Sequence, residues 1–285
     1  MSKVFEAPRI LAKHMASVQS ARVRGRPFFI EGVGLGPTWR RPSRWLARSI
    51  LKRAESISVR SIESARHPVL SGLSPQITRD PAFDYLETRI NLDRLRELDK
   101  CAVDSLTAEA EGAVLVGVNL RPSHDQHAIP GKAAPQALSD HLIQGLSTAL
   151  ITFAANKRRP VRYVFFPMNS VQHGMSDLAA AFQLHRAVGK RADLRVWEGN
   201  PGLDAVLYLL RKLDFVIAMR LHAAIFSMSQ ALPVVGLDYF PERGGKLTEL
   251  FCDSGRSDCV RTIGAFEAGW LVGKMEASIK APIHN

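Results

Sequence analysis

Cysteine is scarce in this chain. Of 285 residues three are cysteine, Cys101, Cys252 and Cys259, and none forms a CxxC pair. A small, odd, scattered set excludes a disulfide framework and a zinc ribbon and fits a reducing compartment. Long apolar runs are missing too. The two longest, near 113–120 and 215–226, fall short of the roughly 18–20 residues that a membrane span needs, and Arg220 and His222 interrupt the second. The first residues, MSKVFEAPRILAKH, hold no apolar core of a signal peptide. There is no internal repeat, no low-complexity tract, and no helix-turn-helix, zinc or RRM-like signature of a sequence-reading nucleic-acid binder. The loop Gly32-x-Gly-x-Gly-Pro is not a G-x-G-x-x-G fingerprint and lacks the lysine of a nucleotide loop.

Acidic residues are scarce at one end. Residues 1–70 hold 14 of the 38 lysines and arginines but only 4 of the 27 acids. That end carries nearly all of the net charge of +11, and the rest of the chain is close to neutral. Such asymmetry points to an anionic partner, with an acidic membrane surface, a phosphorylated glycan or nucleic acid as candidates, or to a solubilising basic face.

What is present is otherwise ordinary for a globular protein, 46% hydrophobic and 23% charged. Short β-rich runs alternate with helical ones, which predicts an α/β protein with mostly parallel sheets. Residues 1–83 give two or three strands, read at Pro27–Glu31, Ser56–Arg60 and near Gln76–Arg79, with helices at 9–22 and 41–53. They are expected to form an incomplete Rossmann-like domain. Residues 84–112 are charge-rich and read as a connector. Residues 113–285 show five candidate strands, at Val114–Leu120, Val161–Phe166, Leu194–Trp197, Phe215–Met219 and Pro233–Leu237. Helices between them predict a second, complete Rossmann-like domain.

The segment with most chemical content is Asp214-Phe-Val-Ile-Ala-Met-Arg-Leu-His-Ala-Ala. An apolar strand runs directly into a helix, with Arg220 and His222 at the junction. Ligands of open α/β sheets bind at the carboxyl ends of the strands. A helix N-terminus there offers free N–H groups and positive potential to a phosphate or carboxylate. Arg220 adds a planar fork of donors, and His222 a group that exchanges a proton near neutral pH. The plainer readings are a salt bridge for Arg220 and a core position for His222. Arg121, after the strand Val-Gly-Val-Asn-Leu, is expected on the same sheet edge, where a second arginine suits a ligand with two anionic groups.

These residues resemble a known family. The strand–Arg-Leu-His–helix segment followed by Leu232-Pro-Val-Val-Gly-Leu-Asp-Tyr is similar to the polysaccharide pyruvyl transferases. So are Glu31-Gly-Val-Gly-Leu-Gly-Pro with the basic helix after it, Ser58-Val-Arg-Ser-Ile-Glu-Ser, Asp80-Pro-Ala-Phe, and Phe165-Phe-Pro-Met with Asp177 further on. The pieces occur in the family's order from about residue 26 to about residue 255. The resemblance implies two Rossmann-like domains in the glycosyltransferase-B architecture. It implies transfer of the enolpyruvyl unit of phosphoenolpyruvate to a sugar of a cell-surface polysaccharide or its precursor, with no further cofactor and no metal. Arg121, Arg220, Leu221 and His222 would line the phosphoenolpyruvate pocket, with His222 as the acid–base group. Gly34, Gly36, Arg60, His173, Asp238 and Tyr239 are candidates for the acceptor side. The family's Gly-Asn-x-Gly-Asp loop is missing, and Ser61 stands where an Asp is usual, so a member with a shortened start is expected. The implied location is the cytoplasm, with the basic end able to reach the inner face of the membrane, and an oligomer is compatible. Two other readings compete. One is a nucleotide-sugar glycosyltransferase with Glu198 gripping the ribose, and the other is an inactive relative serving as a binding subunit.

Overall fold

The computed structural model describes residues 6–35, 41–89, 95–108, 112–122, 135–169, 176–240 and 245–279. The chain divides into two units, Met1–Asp84 and Tyr85–Asn285.

The first unit runs α1 (Glu6–Val23), β1 (Phe29–Val33), α2 (Arg41–Leu51), β2 (Ser56–Val59), α3 (Ile62–Ala65), β3 (Gln76–Ile77) and the start of α4 (Pro81–Arg89). The strands form a parallel sheet in the order β1-β2-β3. Helix α2 lies on it because its apolar positions fall on one stripe. Ala47 and Leu51 share a small core with Ile57, Val59, Val69 and Leu70. Its other face is arginine-rich. Ser61 caps α3, its Oγ accepting the Ser64 amide at 3.1 Å.

The glycine loop after β1 is locked rather than open. Gly32 has φ of +56°, and a Cβ there would sit 2.3 Å from Cδ of Pro81. Only glycine combines that left-handed backbone with so close an approach. The Gly32 amide donates to Ser58 Oγ at 2.8 Å and the Leu35 amide to Ser64 Oγ at 3.1 Å. This loop brings the backbone against the start of α4 in its own unit.

The second unit begins with the end of α4, followed by α5 (Glu97–Thr107). It continues through β4 (Val114–Asn119), α6 (Pro135–Asn156), β5 (Val161–Phe165), α7 (Leu178–Val188), β6 (Asp193–Val196) and α8 (Leu203–Leu210). It ends with β7 (Phe215–Ala218), α9 (Leu221–Ser229), β8 (Val234–Asp238), α10 (Lys246–Asp253), β9 (Val260–Thr262) and α11 (Ala268–Ser278). All six strands are parallel, in the order β6-β5-β4-β7-β8-β9. Renumbered within the unit this is 3-2-1-4-5-6, the order of dinucleotide-binding sheets, and the order reverses between β4 and β7. The strands read as continuous apolar runs because helices cover both faces. Leu142, Leu146, Ala149, Leu150 and Phe153 of α6 recur at helical spacing and are buried in the same core as Val116, Val118, Tyr163 and Phe215.

Two features depart from the sequence reading. A sixth strand, β9, closes the sheet edge beyond β8; three residues are too few to show a period. The segment expected as a partly helical connector holds the end of α4 and all of α5, and α5 packs on α8, with Val103 fully buried and the Asp104 carboxylate accepting from Tyr208 at 3.0 Å. Among the described residues no helix is long and apolar enough to cross a membrane.

Tyr163 tests the core of the second unit. Its ring is fully buried in β5 and its O–H donates to the Leu150 carbonyl at 2.6 Å. Burial raises its pKa above the ordinary tyrosine value. Its contribution is therefore complete below the unfolded value of about 10, and is lost as pH climbs toward the raised folded value. Tyr163→Phe should cost about 1 kcal/mol at neutral pH. Urea denaturation should also show the wild type losing more stability than the variant as the buffer is made alkaline.

Candidate functional site

The point where strand order reverses sets out the site. β4 ends at Asn119 and is flanked by β5 and β7. Asn119 is fully buried and stitches the three exits together. Its Nδ2 donates to the Phe166 carbonyl at 3.0 Å, beyond β5, and its Oδ1 accepts the Arg220 amide at 3.1 Å, beyond β7. The Met219 amide donates to the Asn119 carbonyl at 2.9 Å, and the Arg121 amide contacts Met219 Sδ at 3.4 Å. A single polar side chain in an apolar strand thus places Arg121 and Arg220 side by side at the carboxyl edge.

Arg220 is the N-cap residue of α9, with extended backbone at φ −92° and ψ 135°. Its guanidinium grips Asp177 with both prongs, Nη2 to Oδ1 at 2.5 Å and Nε to Oδ2 at 3.2 Å. Asp177 is fully buried at the start of α7, and its Oδ2 also accepts the amides of Met168 and Asn169, both at 3.0 Å. The pair therefore reaches from the β5 exit to the β7 exit, over the end of β4. The salt bridge considered for Arg220 exists. It does not bury the arginine, whose side chain remains 22% exposed. The fork spends Nε–H and one Nη2–H on Asp177, two of the five N–H groups of the guanidinium.

Arg121 reaches in the other direction. Its guanidinium carbon lies 4.2 Å from the centre of the Tyr239 ring, after β8, in a cation–π contact. Burial lowers the Arg121 pKa from its usual value. The neighbouring Arg220 lowers it too, whereas Tyr239 and Asp177 act to raise it. Burial likewise raises the Tyr239 pKa, against the pull of Arg121. Arg121 and Arg220 bring positive potential to an edge that also holds the buried carboxylates of Asp177 and Asp238. The first turn of α9 adds to it, because its amides have no intrahelical acceptor and an arginine N-cap offers none. Guanidiniums and helix N-termini are groups that complement anions in general.

His222 lies in that first turn and is exposed, 5.9 Å ring to ring from Phe226 one turn on. The core-histidine reading is thereby excluded. Leu221 beside it is half-buried. Arg121, Arg220, Leu221, His222 and Tyr239 thus share one sheet edge. Asp238 does not serve as an acceptor contact. Its carboxylate is buried and accepts from the amides of Phe240, Gly245 and Thr248 and from Thr248 Oγ1, at 2.6–3.1 Å. It is the clamp that ties β8 to α10. In the first unit Arg60 pairs with Asp80 at 2.8 Å, and its guanidinium covers Gly34, where a Cβ would meet Nη2 at 2.5 Å. Asp80 also caps α4 through the Ala82 amide. Gly36 and His173 lie outside the described residues. Among the described residues no three His, Cys, Asp or Glu side chains gather as a metal site would require.

Asp177 and Asn119 were missed as site residues. The signal for Asn119 was one amide in an apolar strand. That for Asp177 was an acid a short loop beyond the strand Val161–Phe165, 43 residues before its partner.

The sequence model of a family described as polysaccharide pyruvyl transferase matches residues 7–239. Because that match begins at residue 7, it gives no support to the expected shortened start. No curated protein sequence matches the chain significantly. Among solved structures, a Listeria monocytogenes protein assigned as UDP-N-acetylglucosamine 2-epimerase superposes with a TM-score of 0.58 at 14% identity, over 91% of this chain and 61% of its own. UDP-GlcNAc 2-epimerase from Neisseria meningitidis, bound to UDP-GlcNAc, gives 0.57 at 11%, over 92% and 63%. An Escherichia coli structure described as trehalose-6-phosphate bound with UDP-2-fluoro glucose gives 0.51 at 11%, over 92% and 62%. The chain spans about three fifths of the length of these structures. At such identity the likeness is one of fold, the parallel α/β architecture of the glycosyltransferase-B type.

Removing one partner of the Arg220–Asp177 pair should cost more than stability at an exposed ion pair would suggest. Arg220→Ala leaves a buried carboxylate with only its two backbone donors and should lower unfolding free energy by about 3 kcal/mol. Arg220→Lys, which keeps the charge but not the fork, should fall between wild type and alanine in chemical denaturation.

Proposed function

The chain belongs to the polysaccharide pyruvyl transferase family, and we propose that it transfers the enolpyruvyl group of phosphoenolpyruvate to two hydroxyls of a sugar, releasing phosphate and leaving a pyruvate ketal. The observation that carries this reading is the placement of Arg121 and Arg220 together at the β4/β7 switch point, beside the first turn of α9. Phosphoenolpyruvate has a phosphate and a carboxylate on adjacent groups, and two guanidiniums with a helix N-terminus are complementary to that pair.

The chemistry then follows from the residues. A proton is delivered to the methylene carbon, which becomes the methyl group, and positive charge develops at C2. One sugar hydroxyl adds at C2 and the phosphate leaves with its bridging oxygen. The second hydroxyl closes the ketal. The two hydroxyl protons account for the one gained by carbon and the one carried away on phosphate. His222, exposed beside the anion site, is the proton donor in this reading. Arg121 and Arg220 hold the departing phosphate and the carboxylate. Leu221 packs at the same turn. Asp177 keeps the Arg220 fork in one orientation, so that its remaining donors are already held in place before substrate arrives.

The test is phosphate release from phosphoenolpyruvate in the presence of a panel of lipid-linked and nucleotide-linked sugars. Arg121→Ala should raise KM for phosphoenolpyruvate. His222→Ala should lower kcat by about 10²–10⁴ and keep the thermal stabilisation that phosphoenolpyruvate gives. Full transfer by His222→Ala would remove its assigned role. Stabilisation by a nucleotide sugar and none by phosphoenolpyruvate would replace the reading with a glycosyltransferase.

A further inference from the structure

The basic excess of residues 1–70 is not spread evenly over the first unit. Much of it gathers at the amino ends of the strands, the edge opposite the one where β1 and β2 send out their glycine and serine loops. Arg22 closes α1, and Arg24 and Arg26 follow in the turn that leads to β1. Lys52 and Arg53 follow α2, in the turn that leads to β2. All five are exposed. The two turns are neighbours. The Glu55 amide donates to the Phe28 carbonyl at 2.8 Å, and Phe29 pairs with Ser56 where β1 and β2 begin. Arg26 is held by its amide to the Ala21 carbonyl at 2.9 Å, and Arg53 by Nη1 to the Ser49 carbonyl at 2.5 Å. Glu55 is the one acid in these two turns.

Apolar side chains stand out among these cations. Val23 is 87% exposed and Phe29 is 52% exposed. Along α2, Trp45 lies two turns before Lys52 on the same solvent face and is also exposed. A charge-only binder of polyanions has no use for a bare valine. Cations ringing protruding apolar and aromatic groups match the interface of an anionic bilayer. There, guanidinium and ammonium groups meet phosphates, and the apolar tips enter the headgroup–acyl boundary.

We propose that the amino-terminal strand edge of the first unit, formed by Arg22, Arg24, Arg26, Lys52 and Arg53 around Val23 and Phe29, is a docking surface for a membrane rich in anionic phospholipid. The surface belongs to the unit's own fold and does not depend on the reaction assigned above.

Co-sedimentation of the full chain with vesicles tests it. The chain should bind vesicles enriched in phosphatidylglycerol, release from them as salt is raised, and ignore vesicles of phosphatidylcholine alone. Each neutralised cation should weaken binding about fivefold, so Arg24→Gln with Arg53→Gln should lower it by more than an order of magnitude. Val23→Ser should weaken it severalfold with the salt dependence unchanged. These residues are exposed, so circular dichroism melting should show folded variants. Arg186→Gln with Lys190→Gln, exposed cations of the second unit, should leave binding as it was. Equal loss in that control, equal binding to phosphatidylcholine, or tighter binding to heparin or DNA with no effect of Val23→Ser would overturn the proposal. The last result would assign the edge to a polyanion.

Discussion

The carboxyl edge of the second unit depends on one ion pair, Arg220 with Asp177. A carboxylate with no exposure is costly unless every lone pair is used. Here two backbone amides and a bidentate guanidinium supply four donors, three on Oδ2 and one on Oδ1. The same pair fixes where the arginine can point, because a fork held at Nε and Nη2 has lost its rotational freedom. A free surface arginine would have to be ordered by its ligand. This one is ordered by the fold, and the cost of ordering is met in folding rather than in binding. The exit of β5, the exit of β7 and the start of α9 then move as one piece.

Around that pair the sheet order does the rest. β4 lies between β5 and β7, so residues leaving β4 can touch partners from either side. Asn119 does so with its amide group, donating toward β5 and accepting from beyond β7. Arg121 leans across β7 to Tyr239 beyond β8. Two arginines that repel one another are brought close because each has its own counterweight, a carboxylate for one and an aromatic face for the other. The result is a cluster of residues from several strand exits, Arg121, Arg220 and Tyr239, held in place by Asn119 and Asp177.

The parts of this arrangement that are local in sequence were legible. The run Phe-Val-Ile-Ala-Met is apolar throughout and breaks into Arg-Leu-His, so a strand–helix junction with two chemically active residues could be read directly. Arg121 could be placed on the same edge because parallel strands put their exits together. The non-local parts were not legible. Nothing near Asp177 in sequence says that its partner lies two strands away, since that depends on the order β5-β4-β7. Asp238 misled for a related reason. An acid after a strand looks the same whether it faces a ligand or gathers the amides of the next helix, and only the positions of Gly245 and Thr248 decide. β9 was overlooked because three residues carry no periodicity, and the packing of α5 on α8 because its charged surface hides a single deeply buried valine.

The first unit shows how the two ends of a parallel sheet take up different chemistry. At the carboxyl ends the loops are tied inward. Gly32 is pressed by Pro81, Gly34 lies under Arg60, and Arg60 is neutralised by Asp80, so even the charged residue is committed to the scaffold. At the amino ends the turns carry exposed cations with almost no acids. Helix C-termini reach that edge, and their negative dipole ends are the place where lysine and arginine are tolerated at least cost. The basic composition of this part of the chain is therefore compatible with helix stability where it is densest. Arg41, in the first turn of α2 with no acid near it in that turn, gains nothing from its own helix. A residue placed against its helix dipole is better accounted for by the surface it presents than by the element that carries it.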